Sequence, residues 1–118
     1  MALHTALPIY KVTYDLAMHA ATLTRNMPRD FKGLYGRRLA EECAELVLLV
    51  YRANVAIDKV PHLAQLLDRL QVVELLFRLS QDMRAITERH YAAAIELTHM
   101  IGKQANGWKK SSASSPAS

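Results

Sequence analysis

The chain has 118 residues, 51% of them hydrophobic and only 7% aromatic, which suits one globular domain and excludes a disordered polymer. A single cysteine excludes a disulfide scaffold, and 15 Lys and Arg against 11 Asp and Glu leave a net charge of +4, open to two readings, solubility or contact with nucleic acid. The longest apolar run, Leu46 to Tyr51, is far short of the ~20 residues that a membrane-spanning helix needs.

Residues 1–6 are expected to be a flexible N-terminus. From Leu7 to Asn26 the apolar positions Ile9, Val12, Leu16, Ala20, Leu23 and Met27 recur at steps of three and four, one face of a first helix, which Pro28 stops. A second helix is predicted from Leu34 to Ile57, with Leu39, Cys43, Leu46, Val50 and Ala53 on one line. The third opens at Asp58, a residue suited to capping. Pro61 falls in its first turn, where a missing N–H does no harm, and Leu63, Leu66, Leu70, Val73 and Phe77 form its core line down to Asp82. The fourth is capped by Thr87 and runs to Trp108, with Ala93, Leu97, Met100 and either Gln104 or Ile101 inward. No stretch alternates with a period of two, so no strand is expected. The tail 111–118 holds five Ser, two Ala and one Pro and is expected to be disordered. Helices of about 20–25 residues, or ~30–37 Å, joined by short loops predict an all-α, antiparallel up-down-up-down four-helix bundle over residues 7–110.

Two helices carry more apolar surface than one core needs. The third adds Val72, Leu75, Leu76, Leu79 and Met83 to its core line, and the second adds Leu48, Tyr51 and Val55. A single bundle asks for an apolar stripe of about 100° or somewhat more per helix. These arcs approach twice that, so a homo-oligomer is expected to cover Leu48, Tyr51, Val72, Leu75, Leu76, Leu79 and Met83.

The motifs for chemistry are thin. Glu96 and His99 form the Glu-x-x-His pattern of di-iron bundles, but such a centre needs two of these motifs and a further pair of carboxylates. Both residues also lie off the predicted core line, so the pair reads as a solvated face. Arg84 and His90 form an Arg-x5-His pattern that resembles the signature of HEPN ribonucleases. The two would need to converge in a cleft to act. Cys43 lies on a core line with no base beside it, and reads as structural. No metal site, cofactor or catalytic residue is assigned.

The basic residues say more once placed on the bundle. The first and third loops lie at one end, which collects Arg25, Arg29, Lys32, Arg37, Arg38, Arg84 and Arg89 against Asp30, Asp82 and Glu88. Six of those seven are arginine, whose planar fork suits phosphate. Lys103 lies on the fourth helix, and Lys109 and Lys110 form a second basic point at the opposite end, beside Trp108. Few aromatics accompany the arginines, Phe31 and Tyr35 alone, so binding through phosphates rather than bases is expected.

Five short elements occur in order: Met27-Pro28-Arg29; Leu34-Tyr35-Gly36-Arg37-Arg38-Leu39; Leu75-Leu76-Phe77-Arg78-Leu79; Thr87-Glu88-Arg89-His90-Tyr91; and Ile101-Gly102-Lys103-Gln104-Ala105-Asn106-Gly107-Trp108-Lys109. Over residues 8–110 they resemble the accessory variability determinant (Avd) proteins of diversity-generating retroelements. Those belong to a four-helix-bundle family that also includes proteins encoded in ribosomal-RNA intervening sequences. Gln104-Ala105 departs from the hydrophobic or basic pair more usual there. The resemblance implies a non-enzymatic, basic homopentamer that associates with the element's reverse transcriptase and template RNA and supports mutagenic cDNA synthesis. Two alternatives stay open: a structural or adaptor bundle of the intervening-sequence branch, and a HEPN-like ribonuclease. The single cysteine and the lack of a signal-peptide pattern predict a cytoplasmic setting.

Overall fold

The computed structural model describes residues 3–114. Four long helices carry the fold: α1 (Pro8–Arg25), α2 (Arg37–Val55), α3 (Val60–Asp82) and α4 (Glu88–Ser114). There is no strand among the described residues. Each helix packs on its neighbours in sequence and α1 closes on α4, so the four form an antiparallel bundle 51 Å long. A membrane-crossing helix needs a longer apolar stretch than any helix here carries.

The core lines of the first three helices are those that the periodicity predicts. Leu16, Leu39, Cys43, Leu46, Leu63, Leu66, Val73 and Phe77 are all buried, each large aliphatic or aromatic side chain contributing ~2 kcal/mol by leaving water. Buried hydroxyls are satisfied locally. Thr13 Oγ1 donates to the carbonyls of Ile9 and Tyr10, and Ser80 Oγ to that of Leu76.

On α4 the inward face is rotated by one residue from the expected one. Ala94, Thr98, Ile101 and Ala105 are buried, whereas Ala93 and Met100 face solvent and Leu97 is half-buried. The reason lies across the groove: Thr98 Oγ1 lies 3.0 Å from Glu74 Oε2, a partner that only the packed α3–α4 pair supplies, and 3.0 Å from the Ile95 carbonyl of its own helix. Gly102 lies beside this line, where a Cβ would meet Leu70 at 3.5 Å, an ordinary van der Waals contact.

Three boundaries differ from expectation. His4–Ala6 form a 3-10 turn ahead of α1, closed by the Ala6 N–H on the Leu3 carbonyl. The second helix begins earlier, because Arg29–Phe31 make one helical turn that continues through a π-turn at Lys32–Gly36 into α2. In that π-turn the Arg37 N–H donates to the carbonyl of Lys32, five residues back. At the other end α4 continues four residues past 110, with Ser114 Oγ donating to Ser111 O. Nothing in Lys109–Ser114 breaks a helix, and Pro116 comes later. The rest of the Ser-rich tail, residues 115–118, lies outside the described residues.

Candidate nucleic-acid interface

The antiparallel topology brings the C-terminus of α1, the start of α2, the α3–α4 turn and the start of α4 to one end. Arg25, Arg29, Arg37, Arg38, Arg84 and Arg89 are exposed there. The other three arginines are committed to carboxylates: Arg69 to Glu42 at 2.8 Å between α3 and α2, Arg52 to Glu45 at 3.5 Å, and, in the last turn of α3, Arg78 to Asp82 at 3.4 Å. The guanidinium of Arg78 is further held in its charged form by a hydrogen bond to the Tyr91 side chain. None of the six arginines at the basic end pairs with a carboxylate among the described residues. Arg37 and Arg38 precede Glu41 and Glu42 on one helix, but Glu42 instead turns inward to Arg69. Six unpaired guanidiniums at one end make a positive surface able to take phosphates in bidentate fashion.

Lys32 has another task. Its Nζ donates to the Arg25 carbonyl at 2.8 Å, satisfying the C-terminus of α1, so it is a structural cap as much as a surface cation. Phe31 is buried in the core, 5.4 Å from Tyr35, which is exposed beside Leu34. Of the two aromatics expected near the arginines, only Tyr35 faces outward. Lys103 and Lys110 are exposed on α4 and Lys109 is half-buried. Their position on the far half of that helix separates them from the arginine end.

Among the candidate interface residues, Leu48, Tyr51, Leu75 and Met83 are exposed, and Val72 and Leu79 are half-buried against the core. Leu76 is a correction. It is 5% exposed and belongs to the core, because the bundle axis lies on the Leu76 side of α3 and leaves its neighbour Leu75, at 66%, facing outward. At 100° per residue Leu48, Tyr51 and Val55 share the outer face of α2, as Val72, Leu75 and Leu79 share that of α3.

The other motifs resolve as follows. His99 Nε2 lies 4.0 Å from Glu74 Oε2 across the α3–α4 groove, while Glu96 is exposed. No three His, Cys, Asp or Glu residues come together among the described residues. Cys43 is buried and its thiol is pushed far up by that burial and, second, by the charge of Glu42. Arg84 and His90 do line one cleft of about 460 Å³, with Thr22, Asn26 and Thr87. In the turn above it Arg84 has φ +60°, and its N–H and that of Ala85 close on the carbonyls of Gln81 and Ser80 at 2.9 and 2.8 Å. This is a helix-ending motif whose left-handed position glycine usually fills, and a non-glycine residue there costs about 1 kcal/mol. The sequence shows the Arg-His pair but not the strained backbone at Arg84.

A family model described as bAvd-like matches residues 7–112, nearly the whole described bundle. The chain belongs to the bAvd-like family. Comparison with curated proteins and with solved structures gives no match. For this bAvd-like chain the matched span takes in α1, α2, α3, α4 as far as residue 112, and both basic points, Lys110 included.

Proposed function

We propose that this chain is a non-enzymatic accessory protein of a diversity-generating retroelement. It assembles as a symmetric homo-oligomer, a pentamer, and binds the element's reverse transcriptase together with its template RNA. The observation that carries the reading is the cluster of six arginines without a carboxylate partner among the described residues at the loop end of the bundle, where Arg78 alone is paired, with Asp82, while Arg52 and Arg69 farther along hold carboxylates. Membership of the bAvd-like family supports the accessory role, and the outward apolar faces of α2 and α3 support self-association. A ring of copies would repeat the arginine end about its axis and raise the local positive potential. The setting is the cytoplasm, where RNA and polymerase are met.

Co-purification tests the reading. The tagged chain, expressed with a reverse transcriptase of a diversity-generating retroelement and its template RNA, should retain both the polymerase and RNA. It should retain neither when Arg29, Arg37, Arg38 and Arg89 are all changed to Glu. Retention of both by that variant would overturn the proposed surface. The HEPN-like alternative has one observation in its favour, the shared cleft of Arg84 and His90. Incubation of purified protein with RNA should leave the RNA intact; cleavage lost in His90→Ala would replace the accessory reading with a nuclease.

A further inference from the structure

The Arg84 cleft differs from the open arginine surface around it, because it is a recess lined by one guanidinium and several uncharged polar side chains. It lies between the last turns of α1 and the α3–α4 turn, and no carboxylate lines it. His90 lines the cleft, and its Nδ1 is buried without a hydrogen-bond partner. The ring is held in place from behind, since His19 Nε2 donates to the His90 carbonyl at 3.2 Å and the two rings meet edge-on at 6.3 Å. Thr87 Oγ1 accepts the His90 N–H at 3.1 Å and so keeps its own proton to donate outward. Asn26 Nδ2 spends one N–H on the Thr22 carbonyl at 3.0 Å and keeps the other. The Thr22 hydroxyl is already committed to the Met18 carbonyl. Arg84 makes no ion pair among the described residues, and its five N–H donors are unspent. Arg84 lines the cleft at a strained φ of +60°, where glycine would suit the turn better; such strain collects at ligand clamps.

We propose that this cleft binds a phosphate monoester, the terminal phosphate of a nucleic-acid strand. A monoester carries a charge of about −1.5 to −2 at neutral pH and three acceptor oxygens, which matches an arginine fork plus several uncharged donors. A phosphate inside a continuous strand has less charge and cannot leave the strand to enter a recess between two elements, whereas a chain end can. The inference deepens the proposed RNA-binding role and rests on it for the macromolecular ligand; the phosphate site stands without it.

The test uses the full chain. Inorganic phosphate should shift the His90 imidazole resonances saturably. A short RNA with a terminal phosphate should bind about tenfold more tightly than the same RNA with hydroxyl ends, the effect of one or two charge-assisted hydrogen bonds. Arg84→Gly should abolish both effects while raising the melting temperature by a few degrees, because glycine relieves the turn; loss of binding then cannot be loss of fold. His90→Gln should weaken the preference without changing the fold. If both RNAs bind equally, or if Arg84→Gly keeps the preference, the proposal is wrong although the arginine surface stands. If neither RNA binds but phosphate saturates His90, the cleft stands and the RNA-binding reading fails. A linear, unsaturating shift marks an adventitious ion only and overturns the site.

Discussion

Thr24 Oγ1 donates to the Gly36 carbonyl at 3.0 Å, tying the last full turn of α1 to the end of the π-turn that opens α2. The two backbones come this close because residue 36 has no side chain. A Cβ there would stand 2.9 Å from Met27 Sδ and 3.1 Å from Thr24 Cγ2. The contact sets where Arg37 and Arg38 emerge, and so links a packing requirement to the basic end.

Gly36→Ala should therefore lower stability by about 1 kcal/mol. Overpacking costs ~1–3 kcal/mol and the reduced freedom of the unfolded chain returns ~0.4–1 kcal/mol. Gly33, in the same π-turn, has nothing within 4 Å of a built Cβ, so Gly33→Ala should be neutral or stabilising. Thermal melts of the pair should separate by ~4 °C or more; equal melting temperatures would show that Met27 moves aside freely.

Lys59 ties off the other end of α2. Its Nζ donates to the carbonyls of Ala53, Asn54 and Ala56 at 3.1, 2.9 and 2.9 Å, three groups that a helix C-terminus leaves without intrahelical partners. Lys59→Met keeps the apolar stem and removes the donors. Urea denaturation should show a loss of ~1.5–3 kcal/mol, the range for hydrogen bonds to a charged group.

Leu75 and Leu76 are adjacent and should behave oppositely. Light scattering should report an oligomer for the parent, several times the 13.3 kDa chain. Leu75→Glu should reduce it toward monomer with helicity unchanged, because a charge on the outer face of α3 cannot be buried unpaired at an interface. Leu76→Ala should instead destabilise the fold by ~2–4 kcal/mol through a core cavity. A parent that scatters as a monomer would end the oligomer proposal.

Binding of RNA by the arginine end should weaken steeply with salt, since each phosphate contact releases counterions. Changing both Arg37 and Arg38 to Ala should weaken unrelated RNAs alike and flatten the log–log salt slope by about 1.4–1.8, the effect of two phosphate contacts. Filter binding at several salt concentrations measures both, and a slope equal to the parent's would move the contact to Lys103, Lys109 and Lys110.

Cys43 should resist thiol reagents in the native protein. Its thiol pKa is raised by burial first and by Glu42 second, so the reactive thiolate is absent across the physiological pH range and reagents are sterically excluded. Labelling should keep pace with urea unfolding, and rapid labelling of folded protein would show that α2 opens locally.

The sequence by itself determined the four helices, their antiparallel order and three of the four core lines, because long aliphatic residues at steps of three and four specify both period and face. It also placed the arginines at one end, since loop position alone decides that. The inward face of α4 was decided only by tertiary packing: Ala94, Thr98 and Ala105 look no more apolar than their neighbours until Glu74 and Leu70 stand opposite them. The same holds for Leu76 against Leu75, where the position of the bundle axis chooses which leucine faces water. The pairing of Glu42 with Arg69, which takes that carboxylate away from Arg38, is a contact between helices. The cleft under Arg84 likewise needs α1 and the α3–α4 turn to meet, and residues far apart in sequence carry no mark of each other until the chain folds.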